Sequence, residues 1–374
     1  MSNTLTNLIP TVITAFDVVS RELVGFIPSV NRDPRADRVA KNQTMYSWAA
    51  PAATLSDITP GAASPSAGDK TQGTKSISIT NYKMTDFYFT GEEEAALGGN
   101  YGNIVTDMIE QGIRAIVNQM EADIWTAAYV GASRGYGTAG TTPFGTNTGE
   151  SAQIKKILDD NGAPVGNRSL IIDTTAGAAL RTLTQLAKVN EAGTSVTLRD
   201  GELLNLNGLR IKESNAVAAV TKGSGASYVI NGSHAVGATS VVIKTGSGTV
   251  LAGDVITIGS FKYVVTTGVS AAGTIVIGAP GLRAAAADGD TVTITNSPTR
   301  NIALSQNAVL LATRLPAIPS GGDIGTDRQT ITDDRSGISI ELAMYPQYRQ
   351  VRYELSAAWG VSVIKPEHLA VLLG

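Results

Sequence analysis

Residues 101–130, YGNIVTDMIEQGIRAIVNQMEADIWTAAYV, contain no proline, and their larger apolar residues recur at steps of three and four. Val105, Met108, Ile109, Ile113, Ile116, Val117, Met120 and Ile124 form one stripe of a helix with a period of 3.6 residues. Asp107, Glu110, Arg114, Glu121 and Asp123 rule out a membrane span for this stretch. At 1.5 Å per residue the helix would run roughly 45 Å, far beyond the usual three turns. The expectation is a long amphipathic core helix. In its sharper form, it is a spine along which a thin, extended subunit is laid out.

Upstream of it, Thr90-Gly91-Glu92-Glu93 has the form of a capping box, with Thr90 as N-cap and Glu93 three residues on. A short helix to Leu97 follows, stopped by Gly98-Gly99. The acidic run 92–94 suits the helix dipole better than a metal, because no second ligand cluster lies nearby. Residues 41–90 read as a long hairpin. One arm is 44–48, and the return arm, 75–89, alternates at Ile77 and Ile79 and again at Phe87 and Phe89. Its tip, PAATLSDITPGAASPSAGDKTQG, is too long and too poor in apolar residues for a compact loop, which reads as a functional or partner-ordered segment. Residues 1–40 read as an arm: an apolar helical face (Leu8, Ile9, Val12, Ile13, Phe16, Val19, Leu23), then the polar, extended SVNRDPRADRVAKNQ. Such a segment has little of its own body to pack on, and the expectation is that it lies on a neighbour.

Downstream, 131–150 is a glycine-rich loop and 151–160 a helix capped by Ser151. Residues 169–173 (SLIID) form a buried strand, and 174–188 a helix with Leu180, Leu183 and Leu186. Residues 217–299 change character: charge nearly vanishes, and Gly, Thr and Val dominate. Strands are expected at 228–231, 240–244, 255–258, 261–267, 274–278 and 291–295, separated by turn signals such as GSG at 246–248 and DGD at 288–290. That pattern predicts a small antiparallel barrel or sandwich set into mixed α/β material, which resumes at Arg300. A short helix at 305–313 and strands at 338–344 and 353–358 close the chain, with an apolar tail at 369–373. The whole describes an α+β chain with parts at 1–40, 41–90, 91–133, 134–216, 217–299 and 300–374.

Composition narrows the function classes. With 43% hydrophobic residues, the 374-residue chain has enough for a core. Charged residues are only 16%, which favours surfaces that meet other protein. Twenty-nine basic against 32 acidic residues give a net charge of −3, so no basic field exists to hold nucleic acid. Cysteine is absent, so neither disulfides nor thiolate metal sites hold the chain. The first residues, MSNTLTNLIPTVITAFDVVSREL, lack the basic start and unbroken apolar run of a signal peptide. The string Gly131-Ala132-Ser133-Arg134-Gly135 matches G-x-S-x-G, but a helix precedes it where a nucleophile elbow needs a strand. Only His234 and His368 are present, neither with a second ligand at metal spacing. Asp159-Asp160 and Asp333-Asp334 read as solvated or capping pairs, and 68–75 departs from a phosphate loop. No catalytic, cofactor or metal residues are assigned, and the chain is read as a non-enzyme.

The order arm, hairpin, spine helix, α/β part, β insertion and α/β return resembles that of tailed-phage major capsid proteins of the Hong Kong 97 fold. The residues that carry it are Asp200-Gly201-Glu202-Leu203, Asn207-Gly208-Leu209-Arg210-Ile211 and Glu213-Ser214. Arg300–Leu304 with Ala308–Arg314 is similar to the helix that follows in that family, and Arg352-Tyr353-Glu354-Leu355, Trp359-Gly360-Val361 and Pro366-Glu367 to its closing strand. Residues 251–262, LAGDVITIGSFK, resemble the start of the inserted β barrel of short-tailed phage coat proteins, and 284–291, AAAADGDT, is the candidate for its long loop. The resemblance implies self-assembly as pentamers and hexamers into an icosahedral shell around double-stranded DNA, without sequence-specific DNA binding or a membrane. It implies a scaffolding protein and a portal protein as partners, a place in the virion and assembly in the host bacterial cytoplasm. Contacts between subunits are expected at Phe16, Trp48, Ile58, Lys75, Phe87 and Asp288. The rival reading is a β-rich adhesin or tail-type binding module, suggested by 217–299.

Overall fold

The computed structural model describes residues 24–49, 60, 73–188, 203, 205–333 and 338–374. The chain begins with a 3-10 turn at Ile27–Ser29, then strands β1 (Asn31–Val39), β2 (Thr44–Ala49), β3 (Gly73–Ser78) and β4 (Asn81–Thr90). The capping box forms as expected: Thr90 Oγ1 accepts from Glu93 N at 3.2 Å and Glu93 Oε2 accepts from Thr90 N at 2.8 Å. It opens α1 (Gly91–Leu97), and Gly98 (φ +52°) ends it. A 3-10 turn leads into α2 (Tyr101–Gly131), 31 residues long. Its buried seam contains Val105, Ile109, Ile113, Ile116, Val117, Met120 and Ile124, the expected stripe less the exposed Met108.

The spine packs on two sheets. Its first half lies on a sheet of order β1-β15-β18-β17-β16, to which β4 adds along β18. These later strands are β15 (Val309–Pro316), β16 (Asp327–Asp333), β17 (Ile338–Gln347) and β18 (Gln350–Val363). Gly112 permits the contact, since a Cβ there would sit 2.6 Å from Leu355 Cδ1 and 2.9 Å from Thr85 Cγ2. Its second half lies on a run of five strands, β5 (Arg134–Gly137), β19 (Leu369–Leu373), β14 (Arg300–Ser305), β6 (Arg168–Ile172) and β7 (Arg210–Glu213). Alternation sorts the two faces of this run. Ile302, Leu304, Leu369, Val371 and Leu373 meet the spine. Ala303, Ala370 and Leu372 meet α3 (Gly149–Asp160), α4 (Thr174–Thr182) and α5 (Thr184–Ala187). Indole nitrogens fasten the spine to both: Trp359 Nε1 donates to Asp123 Oδ2 at 2.8 Å and Trp125 Nε1 to Arg300 O at 2.9 Å.

Between β7 and β14 come β8 (Tyr228–Ile230), β9 (Ser240–Lys244), β10 (Val255–Ile258), β11 (Phe261–Thr267), β12 (Gly273–Ile277) and β13 (Thr291–Ile294), each within a residue of its expected span. They pair antiparallel in the order β10-β13-β8-β9-β12-β11, and β10 also pairs with β11. The circuit therefore closes into a six-stranded barrel, which leaves few free edges. Tyr228, Val241, Ile256, Tyr263 and Ile275 fill its interior. Through β11 it hydrogen-bonds to β5, with Tyr263 opposite Arg134, so barrel and spine-bearing sheet are continuous.

Several expectations fail, the first at the loop foreseen over 131–150, where Arg134–Gly137 is instead the strand β5 between β11 and β19. The helix foreseen at 305–313, which also carried part of the family resemblance, is the end of β14, a 3-10 turn at Gln306–Ala308 and the start of β15. Val309 to Leu315 is buried almost throughout as a strand between β1 and β18, and a short apolar run cannot announce by periodicity whether it is helix or strand. The helix foreseen at 174–188 breaks at Leu183, whose backbone turns extended (ψ 122°), into α4 and α5. Another concerns the segment after Gly25, which was expected on a neighbour. Its described part lies on its own body: Phe26, Ile27 and Val30 are buried in the main core, and β1 after them pairs in parallel with β15, with Val39 buried at its end. The apolar face proposed for residues 8–23 falls outside the described residues. No helix among the described residues is long and apolar enough to cross a membrane.

Candidate assembly surface

The hairpin forms, but only its base is held by the body. β2 and β3 pair from Thr44↔Ser78 to Ala49↔Gly73, a ribbon of roughly 20 Å at strand rise. Asn42 (φ +65°) turns the chain into it, with Asn42 N donating to Ile79 O at 2.8 Å. Ile77 and Ile79 are buried with Val39, Ala312 and Ala358. Gly360 of β18 leaves room for this docking, since a Cβ there would lie 2.3 Å from Ser78 O. Further out Tyr46 is 71% exposed, and the tip beyond Ala49 and Gly73 lies outside the described residues but for residue 60. The return arm is not one strand. After Thr80 it leaves the ribbon as β4 and pairs with β18 from Asn81↔Trp359 to Thr90↔Gln350. Alternation gives β4 an inner face of Phe87 and Phe89 and an outer face bearing Tyr82, Met84 and Tyr88, all three exposed.

The six expected contact residues do not gather into one patch. Phe16 and Ile58 lie outside the described residues. Trp48 is on β2 opposite Thr74, and Lys75 is exposed on β3 opposite Ser47. Phe87 is half-buried, stacked on Tyr353 with ring centroids 5.3 Å apart. Asp288 is at the barrel's far turn, where it accepts from Lys244 Nζ at 2.6 Å and Gly232 N at 2.7 Å. The lysine and the amide hold its carboxyl below the usual range.

A buried carboxylate missed by sequence reasoning anchors the N-terminal segment. Glu121 entered the reading only as a charge that excludes a membrane. In the spine it falls four residues after Val117 and three before Ile124, within the apolar seam, and is 3% exposed. Its Oε2 accepts from Gly25 N (3.2 Å), Phe26 N (3.0 Å) and Ser214 Oγ (2.8 Å), and its Oε1 from Ile27 N (2.6 Å). Burial pushes the carboxyl up, against these four donors. Ser29 Oγ donates to Gly25 O at 2.7 Å and accepts from Lys212 Nζ at 2.9 Å, closing the turn over the carboxylate. Gly25 is needed here, as a Cβ would fall 2.9 Å from Glu213 O. A lone acid on an apolar helical stripe was the available signal.

Two further links hold β1. Arg314, its side chain 1% exposed, donates to Asp33 Oδ2 at 2.7 Å and to Asp33 O at 2.6 Å. Arg38 Nη1 donates to Pro316 O at 2.7 Å and its guanidinium lies 2.5 Å from Glu341. Burial opposes ionisation of Asp33, but Arg314 and Arg35 outweigh it and hold the carboxyl below its ordinary value.

The G-x-S-x-G string at 131–135 presents no accessible nucleophile. Ser133 is fully buried, its Oγ donates to Leu369 O at 2.7 Å, and it accepts from Asn161 Nδ2 at 3.1 Å. His234 Nε2 accepts from Val242 N at 3.2 Å. Asp159 and Asp160 form ion pairs with Arg168 and Arg134. No group of three His, Asp or Glu able to hold a metal occurs among the described residues.

The fold is similar to that of a solved phage capsid. The capsid structure of the cyanophage P-SCSP1u matches 91% of this chain and 86% of its own, with a TM-score of 0.51 at 13% identity. The mature capsid of bacteriophage PhiM1 (TM-score 0.49, 11% identity, 93% of this chain and 86% of its own) is also similar. So is a structure from Mycobacterium phage Che8 (0.47, 14%, 90% and 88%). No protein-family model and no curated protein matches the sequence.

Proposed function

We propose that this protein is the major capsid protein of a tailed phage and that its work is self-assembly, not turnover of a substrate. The observation that carries the reading is the shared fold with the P-SCSP1u capsid over 91% of the chain. The ribbon supports it, because a two-stranded ribbon standing off its own body is marginal alone and gains its remaining burial on another surface. In the Hong Kong 97 arrangement, residues 41–90 supply the extended loop and α2 the spine. Residues 134–216 supply the first part of the axial domain, 300–374 its return together with the rest of the peripheral domain, and 217–299 the inserted β domain. Many copies of one weak contact then sum in a closed shell of pentamers and hexamers. Phe16, Trp48, Ile58, Lys75, Phe87 and Asp288 are proposed to meet neighbouring copies. The enclosed cargo is double-stranded DNA, held without sequence preference inside a wall of net charge −3 per chain. A scaffolding protein and a portal are the expected assembly partners, in the bacterial cytoplasm, with the virion as destination.

The adhesin reading has no observation in its favour, since the barrel strands continue into the sheet that carries the spine. The test is negative-stain microscopy of the expressed chain, alone and with its phage's scaffolding protein. Closed shells of uniform diameter are expected. A protein that stays monomeric under every assembly condition overturns the proposal.

A further inference from the structure

We propose that the barrel and the spine helix form one cooperative unit bolted at Arg300, so that the barrel has a single orientation on the subunit and does not open as a separate insert. A stretch that leaves a sheet after β7 and returns at β14 would ordinarily be read as a self-sufficient decoration. Three observations oppose that reading. First, the two bodies share a core. Val255 of β10 and Val264 of β11 are fully buried in the same cluster as Ile124, Ala128 and Ala132 at the end of the spine. Their neighbours Ile256, Tyr263 and Val265 belong to the barrel's own interior. Alternate residues of the same two strands therefore serve both bodies. A barrel lifted off the spine would bring Val255 and Val264 into water.

Second, the backbones interlock. β11 pairs with β5 at Lys262↔Gly135 and Tyr263↔Arg134, and Val264 N donates to Ser133 O at 3.3 Å. Lys262 Nζ adds a bond to Gly137 O. Third, the seam holds a buried charge pair. Arg300, the first residue of β14, is fully buried, and its Nη1 donates to Gly253 O in the barrel. Its Cζ lies 5.7 Å from the centre of the Tyr129 ring on the spine. Gly253 (φ +86°) makes room for that ring, since a Cβ there would fall 2.4 Å from Tyr129 Cε2. Burial disfavours the guanidinium's charge, and Asp254, 1% exposed on the barrel side, offsets it. Removing either member of such a pair leaves the other uncompensated. Spine end, barrel loop 251–254 and returning strand thus meet at one side chain. The inference concerns the single subunit and does not rest on the capsid reading.

The test is native-state hydrogen–deuterium exchange on the unassembled full chain, read on peptides covering the barrel, α2 and β17–β18. In the parent, the slowest amides of the barrel and of α2 should share one protection factor within about threefold and lose it together in rising urea. In Arg300→Met, protection at 251–256 should fall at least about tenfold, while β17 and β18 stay within about twofold of the parent. Barrel amides that open in the parent well before those of α2 overturn the shared unit. Unchanged protection at 251–256 in the variant, or a loss shared equally by β17 and β18, overturns the part given to Arg300. If Arg300→Met does not fold, Tyr129→Leu, which removes the ring beside the guanidinium, decides by the same criteria with an expected loss of about threefold. Shell formation by the parent is scored separately, so either proposal can fall alone.

Discussion

The segment at 24–39 and the ribbon of β2 and β3 look alike on paper, each setting a few large apolar residues in an otherwise polar stretch, yet the body treats them differently. The first is sewn down along its length by a buried carboxylate, a parallel partner strand and the Arg314 and Arg38 links. The second is clamped at its base by Ile77, Ile79 and Met45 and by Ser362 Oγ donating to Ser76 O at 3.4 Å, while the strand pairing of β2 is with β3. Composition does not separate them. What separates them is what each finds opposite: the first meets a sheet edge and buried polar partners, while the second leaves the sheet after its base. An extended segment becomes part of a subunit when the body supplies partners for its amides. It becomes a projecting element when it brings its own.

The largest effect that could break this contrast concerns the ribbon. Deleting residues 51–69 should leave the subunit folded, its melting temperature within about 2 °C of the parent, while closed shells disappear from micrographs. Normal shells from the deletion would make the ribbon dispensable and erase its side of the comparison. Next comes Phe26→Ala, which empties a fully buried site under the sewn segment. It should cost about 3–5 kcal/mol in chemical unfolding. A cost below about 1 kcal/mol would mean that the segment is no better held than the ribbon.

A smaller effect is expected at Asp33. Asp33→Asn removes the charge facing the buried Arg314, leaving a neutral amide oxygen beside the backbone carbonyls of Asp33 and Thr313, and should cost about 1–3 kcal/mol near neutral pH. Because the folded carboxyl titrates below its unfolded value, its contribution is present above the unfolded pKa and is lost as pH falls through the folded one. The gap between parent and variant in urea midpoint should therefore close on the acid side, and a gap that widened there would refute the assignment. The smallest effect is Tyr46→Ala on the exposed outer ribbon, expected within about 0.5 kcal/mol in the isolated subunit. A stability loss as large as that of Phe26→Ala would show the ribbon packed on its own body.

Legibility in the sequence followed the range of the interactions. The capping box at Thr90 and Glu93 and the spine seam are written within a few residues of themselves, and both formed where expected. The barrel strands alternate locally and are separated by glycine turns, so all six were legible. β15 was not, because its burial comes from β1 and β18, nearly three hundred residues upstream and some fifty downstream. Glu121 was visible only as an oddity on an apolar stripe. Its partners, Gly25, Phe26, Ile27 and Ser214, lie about a hundred residues away on either side.

The sequence by itself determined a long amphipathic helix, the base of a hairpin and six glycine- and threonine-rich antiparallel strands, since each follows from periodicity and turn chemistry over short spans. Tertiary structure alone decided that β1 joins its own sheet, that β4 leaves the ribbon for β18, and that one carboxylate gathers three amides. Unpaired backbone donors and strand edges carry no sequence label for their partners. Which of them are satisfied at home is settled only when the distant surfaces meet.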